Sequence, residues 1–214
     1  MMKRRKNVTL VIANKRLQIP SKFVLSILHC RNNDYIFFVH KMIVLLTSSI
    51  RVRVLDCNRM LRELLIRRNI TDLGLEESIV YANLTISRIL SEEKLFRELE
   101  RVMSQRQSAE EVLFILHFST LIERLHKKLK EAEKIIKDFF NIIPLMVSDT
   151  RPIVLVEKMF EGFYPMQCIT RRELEEVSDV KVKFLPYRIL EVNGFRTDYD
   201  NAGETIALCR LEDN

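Results

Sequence analysis

The spacing of apolar positions differs from one part of the chain to the next. In the first fifty-five residues, the apolar positions form short runs. These runs predict a β-rich unit in which Ser21 caps a short helix that ends at Leu28. The pair His40-Lys41 separates two of the runs and predicts a hairpin turn. The predicted strands are Val8–Ile12, Leu17–Ile19, Tyr35–Val39, Met42–Leu46 and Arg51–Leu55.

The middle of the chain has helical spacing. One predicted helix runs from Glu76 to Met103, and a second begins at the capping box Ser108–Glu111 and ends at Pro144. The second helix has a heptad-like seam formed by Phe118, Ile122, Leu125, Leu129, Ala132, Ile136, Phe139 and Ile143. Because the connection between the two helices is short, the pattern predicts an antiparallel helical hairpin that serves as a dimerising spine.

The last part of the chain has mixed spacing. It predicts strands at Ile153–Val156, Val180–Leu185, Arg188–Val192 and Thr205–Leu211, with a short helix opening at Thr170 and a turn at Asn193-Gly194. The predicted fold class is therefore α+β, in three parts: a small β-rich domain (1–55), the central antiparallel helical hairpin (56–146), and a small C-terminal α/β domain (147–214).

Charge is distributed asymmetrically. The net charge is +6 and the isoelectric point is near 9.2, and every charged residue before Asp34 is Lys or Arg. Such a segment favours a polyanionic partner, although a solubilising basic tail has the same composition. The four cysteines form no CxxC pair and no apolar run is long enough to cross a bilayer. We therefore expect a cytoplasmic protein without membrane contact.

Several kinds of chemistry lack their usual motifs. The chain has four glycines and neither of the glycine-rich phosphate-binding motifs, which disfavours nucleotide-dependent chemistry of those types. His117 and His126 are nine residues apart on the predicted helix, so they do not share a face as metal ligands would. The sequence predicts no cofactor, no metal site and, on balance, no enzyme.

One enzymatic alternative stays open. Asp179-Val180-Lys181 has the spacing of an acidic-x-Lys triplet, with which metal-dependent nucleases of the PD-(D/E)xK type hold a cation and orient water. Asp149 and Glu157 lie upstream and complete the candidate catalytic set of Asp149, Glu157, Asp179 and Lys181.

The N-terminal segment contains a more specific pattern. Arg16, Ile19 and Pro20 precede a predicted short helix, and Asp34 follows it. In type and spacing, residues 5–48 resemble the AbrB/SpoVT/MazE family of swapped-hairpin DNA-binding domains. Lys15 and Asn33 stand where the family has glycine, and Val24 and Leu25 where it often has arginine.

The resemblance implies a homodimer whose interleaved hairpins present basic side chains to double-stranded DNA. It implies that Arg16 contacts the DNA and that the other basic residues nearby contact the phosphate backbone of the DNA. The predicted nucleic-acid-binding residues are Lys3, Arg4, Arg5, Lys6, Lys15, Arg16 and Lys22. The sequence thus favours a dimeric DNA-binding transcriptional regulator, with a protein-interaction scaffold built on the helical spine as a further alternative.

Overall fold

The computed structural model describes residues 7–12, 15–20, 22–29, 34–105, 110–148, 151–158, 165–185, 189–198 and 206–210. The strands are β1 (Asn7–Ile12), β2 (Lys15–Pro20), β3 (Val24–His29), β4 (Arg51–Asp56), β5 (Leu84–Arg88), β6 (Glu111–Leu116), β7 (Ile153–Lys158), β8 (Val180–Leu185), β9 (Ile189–Val192), β10 (Phe195–Asp198) and β11 (Ile206–Arg210). The helices are α1 (Asp34–Thr47), α2 (Glu63–Asp72), α3 (Glu77–Asn83), α4 (Glu92–Ser104), α5 (Phe118–Leu125), α6 (Leu129–Met146) and α7 (Pro165–Val177).

The described strands form two sheets. The large sheet has eight strands in the order β10-β9-β8-β3-β7-β6-β4-β5. All pairs from β8 to β5 are parallel, and the hairpin β9–β10 adds two antiparallel strands beyond β8. The small sheet is antiparallel, in the order β11-β1-β2, and β11 lies against α1.

Helices cover both faces of the large sheet. The chain first moves from β3 toward the β5 edge and then returns, and right-handed crossovers place the outgoing and returning helices on opposite faces. α1, α2 and α3 accordingly form one layer, while α4 to α7 form the other. Because parallel strands between two helical layers are buried on both sides, apolar residues predominate in β3, β6 and β7. β4 alternates charged and apolar residues, and all of its residues except Arg51 are buried.

The predicted swapped-hairpin architecture is wrong for this segment. The run after Ser21 is the central strand β3 instead of a short helix, and Tyr35–Leu46 lies in the single helix α1 instead of a hairpin. His40, placed at the predicted turn, is buried within α1. Its Nδ1 donates to the Ile36 carbonyl, and its Nε2 accepts from the backbone amide of Arg62 at 3.1 Å. The segment is apolar all round because α1 is covered by the sheet and by α2 and α3.

The predicted helical hairpin is also wrong. Two strands, β5 and β6, interrupt it, and the remaining residues form the separate helices α3, α4, α5 and α6. Glu111 is the first residue of β6, and the rest of the predicted capping box is outside the described residues except for Glu110. A run of five apolar residues, Val112–Leu116, satisfies helical spacing and strand burial equally well, so spacing alone could not identify β6.

The predicted fold class is confirmed only in part. The chain combines helices and strands as predicted, but in a mixed α/β arrangement with a mostly parallel sheet instead of α+β. Strands do lie where the sequence predicts β1, β2, β4, β7, β8, β9 and β11. Asn193 and Gly194 form the predicted turn, both with positive φ. The large sheet draws strands from all three predicted segments, so it crosses the predicted boundaries near residues 55 and 146. Within the described part of the chain, no helix is long and apolar enough to span a membrane.

Candidate functional site

The carboxyl ends of four neighbouring strands meet at one edge of the large sheet. β3 ends at His29, β7 at Lys158 and β4 at Asp56, and His117 directly follows β6. The connections leaving β3 and β7 go to opposite faces of the sheet, as do those leaving β4 and β6. Such a reversal opens a crevice above the strand ends, which is where ligands bind in open α/β sheets.

An aromatic cluster lies in this crevice. The His29 ring is stacked on Tyr35, the second residue of α1, with centroids 3.5 Å apart and planes within 5°. The His117 ring meets both rings edge-on, at centroid distances of 5.3 and 5.8 Å. His117 Nε2 also lies 3.3 Å from the Tyr35 hydroxyl and 3.2 Å from the Met60 sulfur. The four side chains are buried at the carboxyl ends of the strands.

Burial keeps both imidazoles neutral. It lowers the pKa of His29 to about 3, with further lowering by His117 and Lys158. Burial also lowers the pKa of His117 to about 4, against the opposing attraction of Asp56. Within the described structure, both ring nitrogens of His29 and Nδ1 of His117 have no hydrogen-bond partner. Because neutral imidazole is a poor anion receptor, the cluster does not replace a phosphate-binding loop.

The strand-end carboxylate of Asp56 is occupied by backbone amides. Asp56 is completely buried and accepts hydrogen bonds from the amides of Met60 and Leu61, at 2.9 and 3.0 Å, and from Asn58 at 3.3 Å. These bonds fix the loop that connects β4 to α2. Because its carboxylate oxygens accept these bonds, the role of Asp56 is to stabilise the backbone of this loop.

The carboxyl group of Glu157 likewise stabilises backbone structure, here the first turn of α5. Its carboxyl group accepts from the Ser119 amide, at 3.2 Å, and from the Ser119 hydroxyl. These donors belong to the first turn of α5, which His117 opens in a left-handed conformation with φ of 57°. Burial raises the pKa of Glu157 to about 7, and the hydrogen bonds from Ser119 and Phe118 oppose that rise. Glu157 is therefore a buried helix cap.

The structure does not bring the candidate nuclease residues together. Glu157 lies near the carboxyl end of β7, whereas Asp179 precedes β8 at the opposite end of the sheet and accepts from the Val24 amide at 2.8 Å. Along the strand direction, Glu157 and Asp179 are four residues apart in register, which corresponds to roughly 13 Å. Lys181 is on β8 near Asp179, and Asp149 is outside the described residues. Among the described residues, no group of three or more His, Cys, Asp or Glu side chains could hold a metal ion.

The predicted DNA-binding residues lie around the small sheet. Lys15 and Arg16 are the first two residues of β2, an edge strand of that sheet. Lys22 is exposed just before β3. The cations from Lys3 to Lys6 precede β1 in sequence and are outside the described residues.

Sequence reasoning missed the crevice residues His29, Tyr35 and His117. A signal for them exists, because several runs of apolar residues end in a polar one, at His29, Asp56, His117 and Glu157. This is the pattern of buried parallel strands that end at a functional edge. At His117 this pattern was missed because the sequence predicts a long helix that includes this residue.

The connection between β3 and α1 has the strand–loop–helix position of a phosphate-binding loop. Its residues, Cys30-Arg31-Asn32-Asn33, include no glycine and lie outside the described residues, and the first glycine of the chain is Gly74. The fold and site thus define a doubly wound α/β protein without a glycine-rich nucleotide cradle. Comparison with protein-family models and with curated proteins finds no match to this chain.

Proposed function

We propose that this protein binds double-stranded DNA without acting on it chemically, through positively charged residues on and before its small antiparallel sheet. The α/β core carries that sheet through the contact between β11 and α1. The observation that carries the proposal is the charge of the first thirty-three residues, in which every ionisable Lys, Arg, Asp or Glu is a cation. A uniformly cationic segment on a folded support is the electrostatic feature that phosphate binding requires.

The register of the small sheet supports the proposal. In the β1–β2 hairpin, Asn7 is opposite Pro20 and Ile12 is opposite Lys15. Lys15 and Arg16 thus begin at one end of the hairpin, and the chain reaches Lys22 beyond the other end. Five residue steps of strand separate these ends by roughly 17 Å. Successive phosphates of one DNA strand advance about 3.4 Å along the duplex axis, so the hairpin matches about five base pairs.

Within the described residues, the groups at the strand ends also favour binding over catalysis. The two strand-end carboxylates of the crevice, Asp56 and Glu157, are hydrogen-bonded to backbone amides, and the cluster of His29 and His117 is neutral. The role in transcription predicted from the sequence depended on swapped hairpins. Since the described segment folds otherwise, the proposal is confined to DNA binding.

Salt-dependent gel shifts with the full chain test the proposal. We expect binding at roughly 50 mM salt that weakens steeply toward about 200 mM, because each neutralised phosphate releases counterions. Replacing Lys15 and Arg16 by Ala should lower the slope of log affinity against log salt by about two. Replacing the exposed Lys130 and Lys134 of α6 by Ala is the charge-matched control and should leave affinity unchanged. No binding at low salt, or equal losses in both variants, would contradict the proposal.

A further inference from the structure

The strand β5 is an open edge of the large sheet. It pairs with β4 on one side, and in the described structure no strand pairs with its other side. An open edge presents a row of backbone donors and acceptors to another chain. Proteins usually protect such an edge with proline, lysine or a bulge, and Leu84–Arg88 has neither proline nor lysine and pairs in unbroken register with β4.

The surface beside this edge is apolar. Ile86, at the centre of β5, is 39% exposed, and Leu90 just beyond the strand is 48% exposed. Ile79 and Tyr81 of α3 are 42% and 38% exposed. Leu84 packs into the core on the face covered by α1 and α3, and Ile86 faces the same way because strand side chains alternate. Ile86 is therefore an exposed apolar side chain at the sheet edge, on the face of the sheet that α3 covers.

The strand is complementary to a second copy of itself. In antiparallel pairing about a two-fold axis at Ile86, the two Ile86 residues are opposite each other, Thr85 is opposite Ser87, and Arg88 is opposite Leu84. Arg88 is the only charged residue of β5, so no like charges face each other. Cross-strand pairs of β-branched and hydroxyl side chains favour such pairing.

Charge complementarity supports the same arrangement. Opposite Leu84 of the partner, Arg88 would lie beside the carboxyl end of the partner's helix α3, which ends at the preceding residue, Asn83. The last turn of α3 contains no basic residue, so its exposed carbonyl groups are not neutralised from within. Arg88 itself is exposed and forms no ion pair within the described structure.

We propose that two copies of this chain dimerise by antiparallel pairing of β5 with β5, which joins their large sheets into one continuous sheet. The interface is isologous, so it closes at two copies and leaves no open β5 edge. It is separate from the small sheet proposed to bind DNA, and the inference stands whether or not the protein binds DNA.

Sedimentation equilibrium of the full chain tests the dimer. We expect the wild type to be dimeric at roughly 100 µM, and Ile86→Lys to raise the dimer dissociation constant at least tenfold, which is about 1.4 kcal/mol. Leu145→Lys is the matched control, since Leu145 is 77% exposed on α6 on the other face, and it should remain dimeric. A monomeric wild type, or equal dissociation constants for wild type and Ile86→Lys, would overturn the proposal. Circular dichroism should show each variant folded.

Cysteine crosslinking tests the register. In a background with Cys30, Cys168 and Cys209 replaced by Ser, Ile86→Cys should form a disulfide-linked dimer on mild oxidation. Directly opposed residues of antiparallel strands have Cα atoms about 4.5 to 5.5 Å apart, within the range of a disulfide. Leu145→Cys in the same background should stay monomeric under denaturing, non-reducing conditions. Equal crosslinking of the two variants, or none at Ile86→Cys, would refute the two-fold register.

Discussion

Glu157 makes stability depend on pH in the direction opposite to that of a carboxylate whose pKa is lowered by folding. Its pKa is about 7 in the folded protein, against an ordinary value of 4.5, because it is buried. Between these two values the unfolded chain has lost this proton and the folded chain retains it. Stability from this group is therefore complete below pH 4.5 and is lost as pH rises toward 7. A difference of about 2.5 pKa units corresponds to roughly 3 kcal/mol.

Glu157→Gln removes the titration and retains an oxygen that can accept from the Ser119 amide and hydroxyl. We expect the wild type to lose about 2.5 kcal/mol more of its unfolding free energy than Glu157→Gln between pH 5 and pH 8. Urea unfolding followed by circular dichroism at these two pH values measures the difference. Both proteins share every other titrating group, so their contributions cancel in the comparison.

Ser119→Ala is the companion variant, because it removes the hydroxyl donor to Glu157 and leaves the amide donor in place. The hydroxyl bond opposes the rise in pKa, so its loss should raise the pKa of Glu157 further and move the midpoint of the stability loss to higher pH. Parallel pH profiles for wild type and Glu157→Gln would show that Glu157 is charged in the folded protein and would refute the reasoning.

Two further predictions concern the crevice. Asp56→Ala should lower the unfolding free energy by about 2 to 5 kcal/mol, because it leaves the buried amides of Met60 and Leu61 without an acceptor. Asp56→Asn should lower it less. Equal urea midpoints for wild type and Asp56→Ala would contradict this prediction. The pKa values of His29 and His117 are about 3 and 4, so the NMR shifts of their ring protons should stay constant from pH 8 to pH 5. An inflection near pH 6.5 for either residue would contradict its neutral state. Since the unfolded imidazoles gain protons first, their contribution to stability is lost as pH falls below about 6.5.

Local sequence accounts for those elements whose pattern has one physical interpretation. Alternation of charged and apolar residues predicts the strand Arg51–Leu55, and the observed strand β4 extends one residue further, to Asp56. The Asn193-Gly194 dipeptide predicts its turn because both residues tolerate positive φ. Ser91 caps α4 by accepting a hydrogen bond from the Lys94 amide, as a serine directly before a helix commonly does. The charge of the N-terminal segment and the lack of an early glycine are likewise properties of the chain that folding does not change.

Long-range contacts account for the elements that local pattern assigns wrongly. Tyr35–Leu46 and Val112–Leu116 are apolar on every face, so their spacing does not distinguish a strand from a helix. In the fold, the first segment is a helix packed against the large sheet, α2 and α3, and the second is a central strand paired with β4 and β7. Pairing of β3 beside β7, far apart in sequence, then determines the sheet order on which the crevice depends.

The crevice itself arises from assembly. His29 and Tyr35 are close in sequence, but His117 reaches them only because β6 is separated from β3 by the single strand β7. Strand pairing is specified by the fit of whole surfaces, and no local run of residues encodes that fit. Composition and spacing therefore reveal which residues are apolar, charged or turn-forming, while the packing of distant strands determines which of them meet.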